Sequence, residues 1–385
     1  MIKRKIFPVL IYFFFLLCLL PAAIFFYKHP AYNWDMLGYM AIVVRMDGVK
    51  DIKTIHSVTY NSAKENIPPQ DYNKLVDSPS VRIRFANDPY YFEKILPIHV
   101  VKPLYTWSAY LFYKAGFTLP LATVMPSIIS YLVIGLLLFH WLKKYFQTTI
   151  AFVAALLVMY SGFMGAIAKG SSPDTLSAFF LFAAFYFILE KPVLWMIFLF
   201  LWVSLLTRVD NLINCFFILS LMTFSDKWYR KISLRGYFLM IGILLTSYIL
   251  VIIPVRQFGW SLFYYSEYVK HMNFNRDFNL PFSFSDYISY AYSKAVTGFV
   301  NSNFTVFVFL AILIMVDRFS IKFRNFTFDQ ILALLFVFII FVRFILLPDL
   351  SDRFYISFYL VIMILLVRKF KNRHQENKNS LKLNN

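Results

Sequence analysis

The chain has 385 residues, 60% of them hydrophobic and 15% charged, with a mean hydropathy of +0.63, a balance that excludes an ordinary water-soluble domain. The formal net charge is +18, which in so apolar a chain bears on membrane topology rather than on nucleic acid. Only two cysteines occur, Cys18 and Cys215, each inside an apolar run, so neither a disulfide framework nor a thiolate metal cluster is implied.

Lys3, Arg4 and Lys5 precede an apolar run from Ile6 to Tyr27, about 20 residues and enough to cross a bilayer. The run is longer than the apolar core of a cleaved signal peptide and is read as a retained anchor. Residues 28–120 read as one large outer loop, punctuated by Pro68-Pro69, Ser78-Pro79 and Asp88-Pro89. Within it, Gly38 to Ile42 is predicted as a surface helix. The stretch 100–117, with Lys102, Pro103, Lys114 and Gly116, is predicted as an interfacial or re-entrant helix rather than a span. Further apolar runs lie at 121–142, 148–168, 173–189, 193–207, 211–224, 236–254, 297–316, 328–347 and 353–368. The expected architecture is an all-α polytopic membrane domain over residues 1–368 with about ten transmembrane helices. A second outer loop covers 256–295, and a basic cytoplasmic tail, 369–385, is expected to be disordered.

With the first span running outward, ten spans leave both termini in the cytoplasm. The inner segments then hold 19 of the 38 Lys and Arg against five acids, and the outer side is nearly neutral, as positively charged cytoplasmic loops require. An eleventh span at 100–117 would invert everything downstream.

That topology gathers Asp35, Lys102, Asp174, Arg208, Asp210, Arg256, Asp352 and Arg353 near the outer ends of spans or in outer loops. Ionisable groups at membrane depth are expensive and face a cavity or a partner, whereas residues at span ends reach water cheaply by snorkelling. The residues alone leave both readings open. Asp35, in Asn33-Trp34-Asp35-Met36, fits a site carboxylate or a helix cap. Arg208 and Asp210 fit an internal ion pair or a topological marker, and the aromatic stretch from Trp260 to Tyr292 fits an interfacial belt or a face for a sugar. The six histidines, His29, His56, His99, His140, His271 and His374, are dispersed, so a divalent metal has no support. Neither a Walker A pattern nor a Rossmann fingerprint occurs, which disfavours a nucleotide-sugar donor.

The order of these features resembles the GT-C glycosyltransferases that use polyprenyl-phosphate sugars, especially the branch of protein O-mannosyltransferases and aminoarabinose transferases. In that branch a first span leads to an outer loop opening on an essential Asp, followed by a Lys-Pro or Pro-Pro element before a Gly, and then by an Asp after a later span. Asp35, Lys102-Pro103 with Gly116, and Ser172-Pro173-Asp174 stand in that order. The likeness covers roughly residues 28–190, with Arg353-Phe354-Tyr355 at the last outer loop. The chain departs from the family in being short and in carrying Met36 where a Glu often follows the Asp.

The resemblance implies an inverting sugar transfer from a polyprenyl-phosphate donor to a glycan, lipid or protein acceptor, on the outer face of a bacterial inner membrane and without an identified cofactor. It implies Asp35 as the base, with its carboxyl raised toward working pH by a water-poor pocket. Lys102, Arg256 and Arg353 would hold the donor's phosphate or sugar, and Asp174 would orient the lysine or the sugar. A lipid-linked polysaccharide polymerase or ligase and a polytopic transporter are the alternatives. The transporter needs a polar path to both faces, and the inner halves of the spans read as dry.

Overall fold

A computed structural model describes residues 3–77, 80–227, 231–255, 283–316 and 326–383, with side chains described except at 3–9, 80–81, 254 and 374–383. Among the described residues the regular structure is helical, with one isolated parallel bridge between Ala31 and Gly170.

After α1 (Lys3–Lys28), the segment read from sequence as the first outer loop, and called the outer unit for that reason, folds into α2 (Asp35–Met46), α3 (Ile52–Asn66), α4 (Pro69–Val76), α5 (Ser80–Asn87), α6 (Pro89–Glu93), α7 (Leu96–Val100) and α8 (Pro103–Lys114). The prolines that punctuate the sequence begin helices here: Pro69, Pro89 and Pro103 stand in first turns, where a missing N–H costs nothing. Aspartates cap two of these helices. Asp51 accepts from Thr54 N at 2.8 Å, and Asp88 accepts from Tyr90 N and Tyr91 N at 3.0 and 3.1 Å.

The stretch from Gly38 to Ile42 was expected on the surface; instead α2 is buried from Met36 to Val44. The residues are apolar all round, so α2 serves as the central helix of the outer unit rather than as a half-wet one. Leu37, Met40, Ile55, Phe92 and Leu96 form a core separate from that of the long helices. Gly38 permits the closest approach in it, since a Cβ there would lie within 2.6 Å of three atoms of the His99 ring.

The remaining described residues form a bundle of helices: α9 (Leu119–Leu142), α10 (Thr148–Met159), α11 (Gly162–Ala168), α12 (Asp174–Glu190), α13 (Leu194–Thr207), α14 (Asn211–Phe224), α15 (Leu234–Ile252), α16 (Phe284–Asn301), α17 (Phe304–Met315), α18 (Phe328–Leu346) and α19 (Ile356–Leu383). Among the described residues four helices are long and apolar enough to cross a membrane: Leu10–Lys28 of α1, α9, α15 and α18. Two bent pairs raise this to six, α10 with α11 at 61° and α16 with α17 at 77°.

Against the ten expected spans, the difference lies mostly in length. Helices α13 and α14 have 14 residues each, about 21 Å at 1.5 Å per residue, less than a hydrocarbon core of about 30 Å. Both stop at the same polar turn, Arg208-Val209-Asp210. Helix α8 has 12 residues, about 18 Å, too short to cross, and it packs beside α9 and α2. The basic tail, expected to be disordered, continues α19 as helix to Leu383.

Candidate active site

Two distant stretches meet where the outer unit joins the bundle. Ala31 N donates to Lys169 O at 2.8 Å, and Asn33 Nδ2 donates to Ser171 O at 3.3 Å. The facing strand of chain, 169–173, is pinned to α9 by Ser127 Oγ, which donates to Gly170 O at 2.9 Å and Ser172 O at 3.1 Å. Thr123 and Ser171 share a hydroxyl contact of 2.8 Å. These bonds place the N-terminus of α2 beside that of α12, and therefore Asp35 beside Asp174.

Asp35 is the first residue of α2, where a carboxylate is favoured by the helix dipole. It does not cap the helix: Asn33 Oδ1 accepts from Met36 N at 3.2 Å. The Asp35 side chain stays 39% accessible, and Arg353 Nη1 stands 3.8 Å from its Oδ2. Asp174 is only 2% accessible; Arg208 Nη1 donates to its Oδ1, and Arg353 Nε lies 3.9 Å from its Oδ2. Arg353, 41% accessible, thus stands loosely between two carboxylates.

Behind this pair lies a tighter cluster. Arg208 holds Asp210 through Nε at 3.0 Å and Nη2 at 2.8 Å, the internal pair anticipated from sequence. Arg343, inside α18, donates to the same Asp210, while its own Nε is buried without a partner among the described residues. The Phe354 ring lies 4.5, 4.8 and 4.7 Å from the guanidinium carbons of Arg208, Arg343 and Arg353. Its π face offers partial compensation to three like charges. A cavity of about 10 Å³, lined by Asp174, Ser177, Asn211, Arg343 and Arg353 among others, has room for about one water molecule.

On the side of the outer unit, Lys102 immediately precedes α8, and its Nζ donates to Tyr39 OH at 2.8 Å. His99 is buried beside it, its ring 4.8 Å from that of Tyr39. His99 Nδ1 lies 3.2 Å from Ile95 O; a carbonyl only accepts, so Nδ1 carries the proton. Its Nε2 is then a buried acceptor with no partner among the described residues.

Electrostatics follow from this crowding. Burial pushes the Asp35 carboxyl up, but His99 in its charged form, Arg353, Lys102 and Arg208 outweigh it and hold the group below its ordinary range. The expected upward shift is corrected here, because the pocket is rich in cations rather than merely poor in water. Burial lowers the Lys102 ammonium to about 8, only partly offset by Asp35. Burial, reinforced by Lys102, lowers the His99 imidazole to about 4. Asp210 is kept far below the usual carboxylate range: burial opposes this, but Arg208 and Arg343 prevail.

Of the residues proposed from sequence, Asp35, Lys102, Asp174 and Arg353 come together, whereas Arg256 lies outside the described residues. Arg343 and His99 were missed, and Phe354 was singled out only as part of Arg353-Phe354-Tyr355. An arginine inside the apolar run 328–347 is itself a signal, since an unpartnered charge there is too expensive to keep; His99 had none. No group of three or more His, Cys, Asp or Glu able to hold a metal occurs among the described residues. No family model, curated protein or solved structure matches the chain.

Proposed function

We propose that the chain is a membrane glycosyltransferase of the GT-C type, which moves a sugar from a polyprenyl-phosphate donor to an acceptor on the outer face of a bacterial inner membrane. The observation that carries the reading is an incompletely neutralised, partly accessible cluster. Lys102, Arg208, Arg343 and Arg353 surround three carboxylates, Asp35, Asp174 and Asp210. The surplus positive charge suits an anion such as a lipid phosphate, and Arg353, held by contacts no shorter than 3.8 Å, is free to turn toward it. An apolar groove of about 440 Å³ between α1 and α10–α11, lined by Phe25, Phe26, Met159 and Tyr160 with Lys169 at its rim, suits the lipid chain.

In the reaction, the acceptor oxygen attacks the anomeric carbon and forms the new glycosidic bond. The bond from that carbon to the phosphate oxygen breaks, and the phosphate leaves with the electron pair, stabilised by Lys102 and Arg353. The acceptor proton passes to Asp35. Donor binding prepares this step: a phosphate on Lys102 and Arg353 cancels the field that depresses Asp35, so its basicity rises when it is needed. Asp174, tied to Arg208, keeps Arg353 near the reacting atoms.

The topology within this reading has ten spans, with α12, α13, α14 and α19 crossing alongside the longer helices, the bilayer thinning to match the short α13 and α14, and both termini cytoplasmic. Reporter fusions after Lys144 and within residues 260–290 then report opposite sides of the membrane; the same side for both overturns it. The activity is tested by reconstituting the protein in liposomes with labelled polyprenyl-phosphate sugars and by mass spectrometry of co-purified lipid. Transfer lost in Asp35→Asn supports the reading. A protein that neither binds nor consumes any lipid-phosphate sugar removes it.

A further inference from the structure

Helix α16 divides into three sectors. Tyr287, Ala291, Lys294 and Gly298 face the protein: the Tyr287 hydroxyl donates to Ile345 O, and a Cβ on Gly298 would lie 2.6 Å from Leu350 Cβ. Ile288, Tyr292, Val296 and Val300 recur at every fourth position with Phe299 beside them, and all five are exposed, Tyr292 at 73% and Val300 at 76%. Asp286, Ser293 and Thr297, also exposed, form an adjoining polar strip. At about 100° per residue these three sets occupy separate arcs of the helix, with the small hydroxyls of Ser285 and Ser289 interspersed in the apolar one. No residue of α16 is buried.

A helix in water gains nothing from such an apolar arc, and one that crosses a bilayer does not keep a polar strip beside it along its length. The axis decides between the two environments. Helix α17, apolar but for Thr305, packs on α18 and α19, and α16 leaves it at 77°; with α17 set across the membrane, as in the topology proposed above, α16 runs nearly parallel to the membrane plane. The corner is fixed by Asp352, which accepts from Asn303 N at 2.8 Å and Asn303 Nδ2 at 2.6 Å. Asp352 immediately precedes Arg353, which puts α16 at the level of the Asp35 cluster.

We propose that α16 is a surface helix docked on the lipid interface, on the membrane face that carries the Asp35 cluster. Its partner is the leaflet itself, with Ile288, Tyr292, Val296, Phe299 and Val300 at acyl depth and Asp286, Ser293 and Thr297 in the headgroup water. This inference stands apart from the transfer reaction and survives if that reading fails.

The test is a nitroxide scan of residues 286–300 in full-length protein in lipid nanodiscs, with Cys18 and Cys215 replaced by alanine. Oxygen accessibility is expected to peak at 288, 292, 296 and 300, several-fold above 286, 293 and 297, with a period of about 3.6 residues. A steady gradient along the helix would make α16–α17 a broken span, and uniform access to a water-soluble relaxant would put α16 in solvent; either result overturns the proposal. Hydroxyl-radical footprinting of the unsubstituted protein in the same nanodiscs gives a second reading. Tyr292 and Phe299 are expected to stay unmodified while the exposed Tyr90 of the outer unit reacts; modification of Tyr292 equal to that of Tyr90 also overturns it.

Discussion

Helix α12 carries an ionic cluster at each end. At its C-terminus Glu190 accepts from Trp141 Nε1 at 2.9 Å, Lys144 Nζ at 3.0 Å, Arg368 Nη1 at 3.2 Å and the Tyr145 hydroxyl, while Arg368 Nε also reaches Asp329 at 2.9 Å. At its N-terminus Asp174 is paired with Arg208, but Arg353 stands 3.8 Å from Asp35 and 3.9 Å from Asp174, and Arg343 Nε and His99 Nε2 have no partner among the described residues. Charge is common to both. What differs is satisfaction: the Glu190 end uses its hydrogen-bonding capacity on α9, α12, α18 and α19, whereas the Asp35 end keeps part of its capacity in reserve. A buried polar network with every group paired rigidifies a fold, and one left partly unpaired is a place for a ligand.

The difference can be broken most sharply by removing one acid from each end. Asp35→Asn is expected to lower transfer by about 10²-fold or more while donor binding survives, whereas Glu190→Ala leaves turnover per folded molecule unchanged. Equal turnover in Asp35→Asn and the parent protein would strip Asp35 of its role. Stability should respond the other way. Glu190→Ala strands Lys144 and Arg368 and is expected to cost about 3 kcal/mol, while Asp35→Asn, whose ion pair is long and accessible, costs less than about 1 kcal/mol. Unfolding midpoints in one detergent compare the two, and coincident midpoints would erase the contrast.

A smaller effect sharpens the comparison at the open end. Lys102→Ala is expected to weaken polyprenyl-phosphate binding by about tenfold or more, measured by equilibrium binding to the reconstituted protein. The smallest effect is on pH. With Lys102 lowered to about 8, its charged fraction falls as pH rises through that value, so parent-protein binding weakens between pH 7 and 9. Lys102→Arg keeps its charge there and removes that limb; an identical decline in the variant would show that another group titrates.

Much of the site could be read in advance because its chemistry is sparse in the sequence. In a chain so apolar, Asp35, Lys102, Asp174, Arg208, Asp210 and Arg353 stand out, and their positions at span ends suggested one face. The Arg208–Asp210 pair was legible from its spacing. The depressed Asp35 was not, since the sign of its shift depends on how many cations converge, and Arg353 arrives from a segment more than 300 residues away. Run length was legible too, since the runs at 193–207 and 211–224 become α13 and α14. Hydropathy marks apolar runs but not why these two are short: they end where the chain turns to bring Arg208 and Asp210 to the cluster.

The sequence by itself determined that this chain is helical and carries several runs apolar enough for a bilayer, because composition and run length answer to the solvent alone. It also determined which residues could carry charge at the ends of those runs. Tertiary structure decided what those charges do. Only folding made α2 a buried centre rather than a surface helix, joined residues 31–33 to 169–171, and left Asp35 partly accessible among cations while Asp174 was sealed. Those outcomes rest on contacts between segments far apart in the chain, which no local pattern encodes.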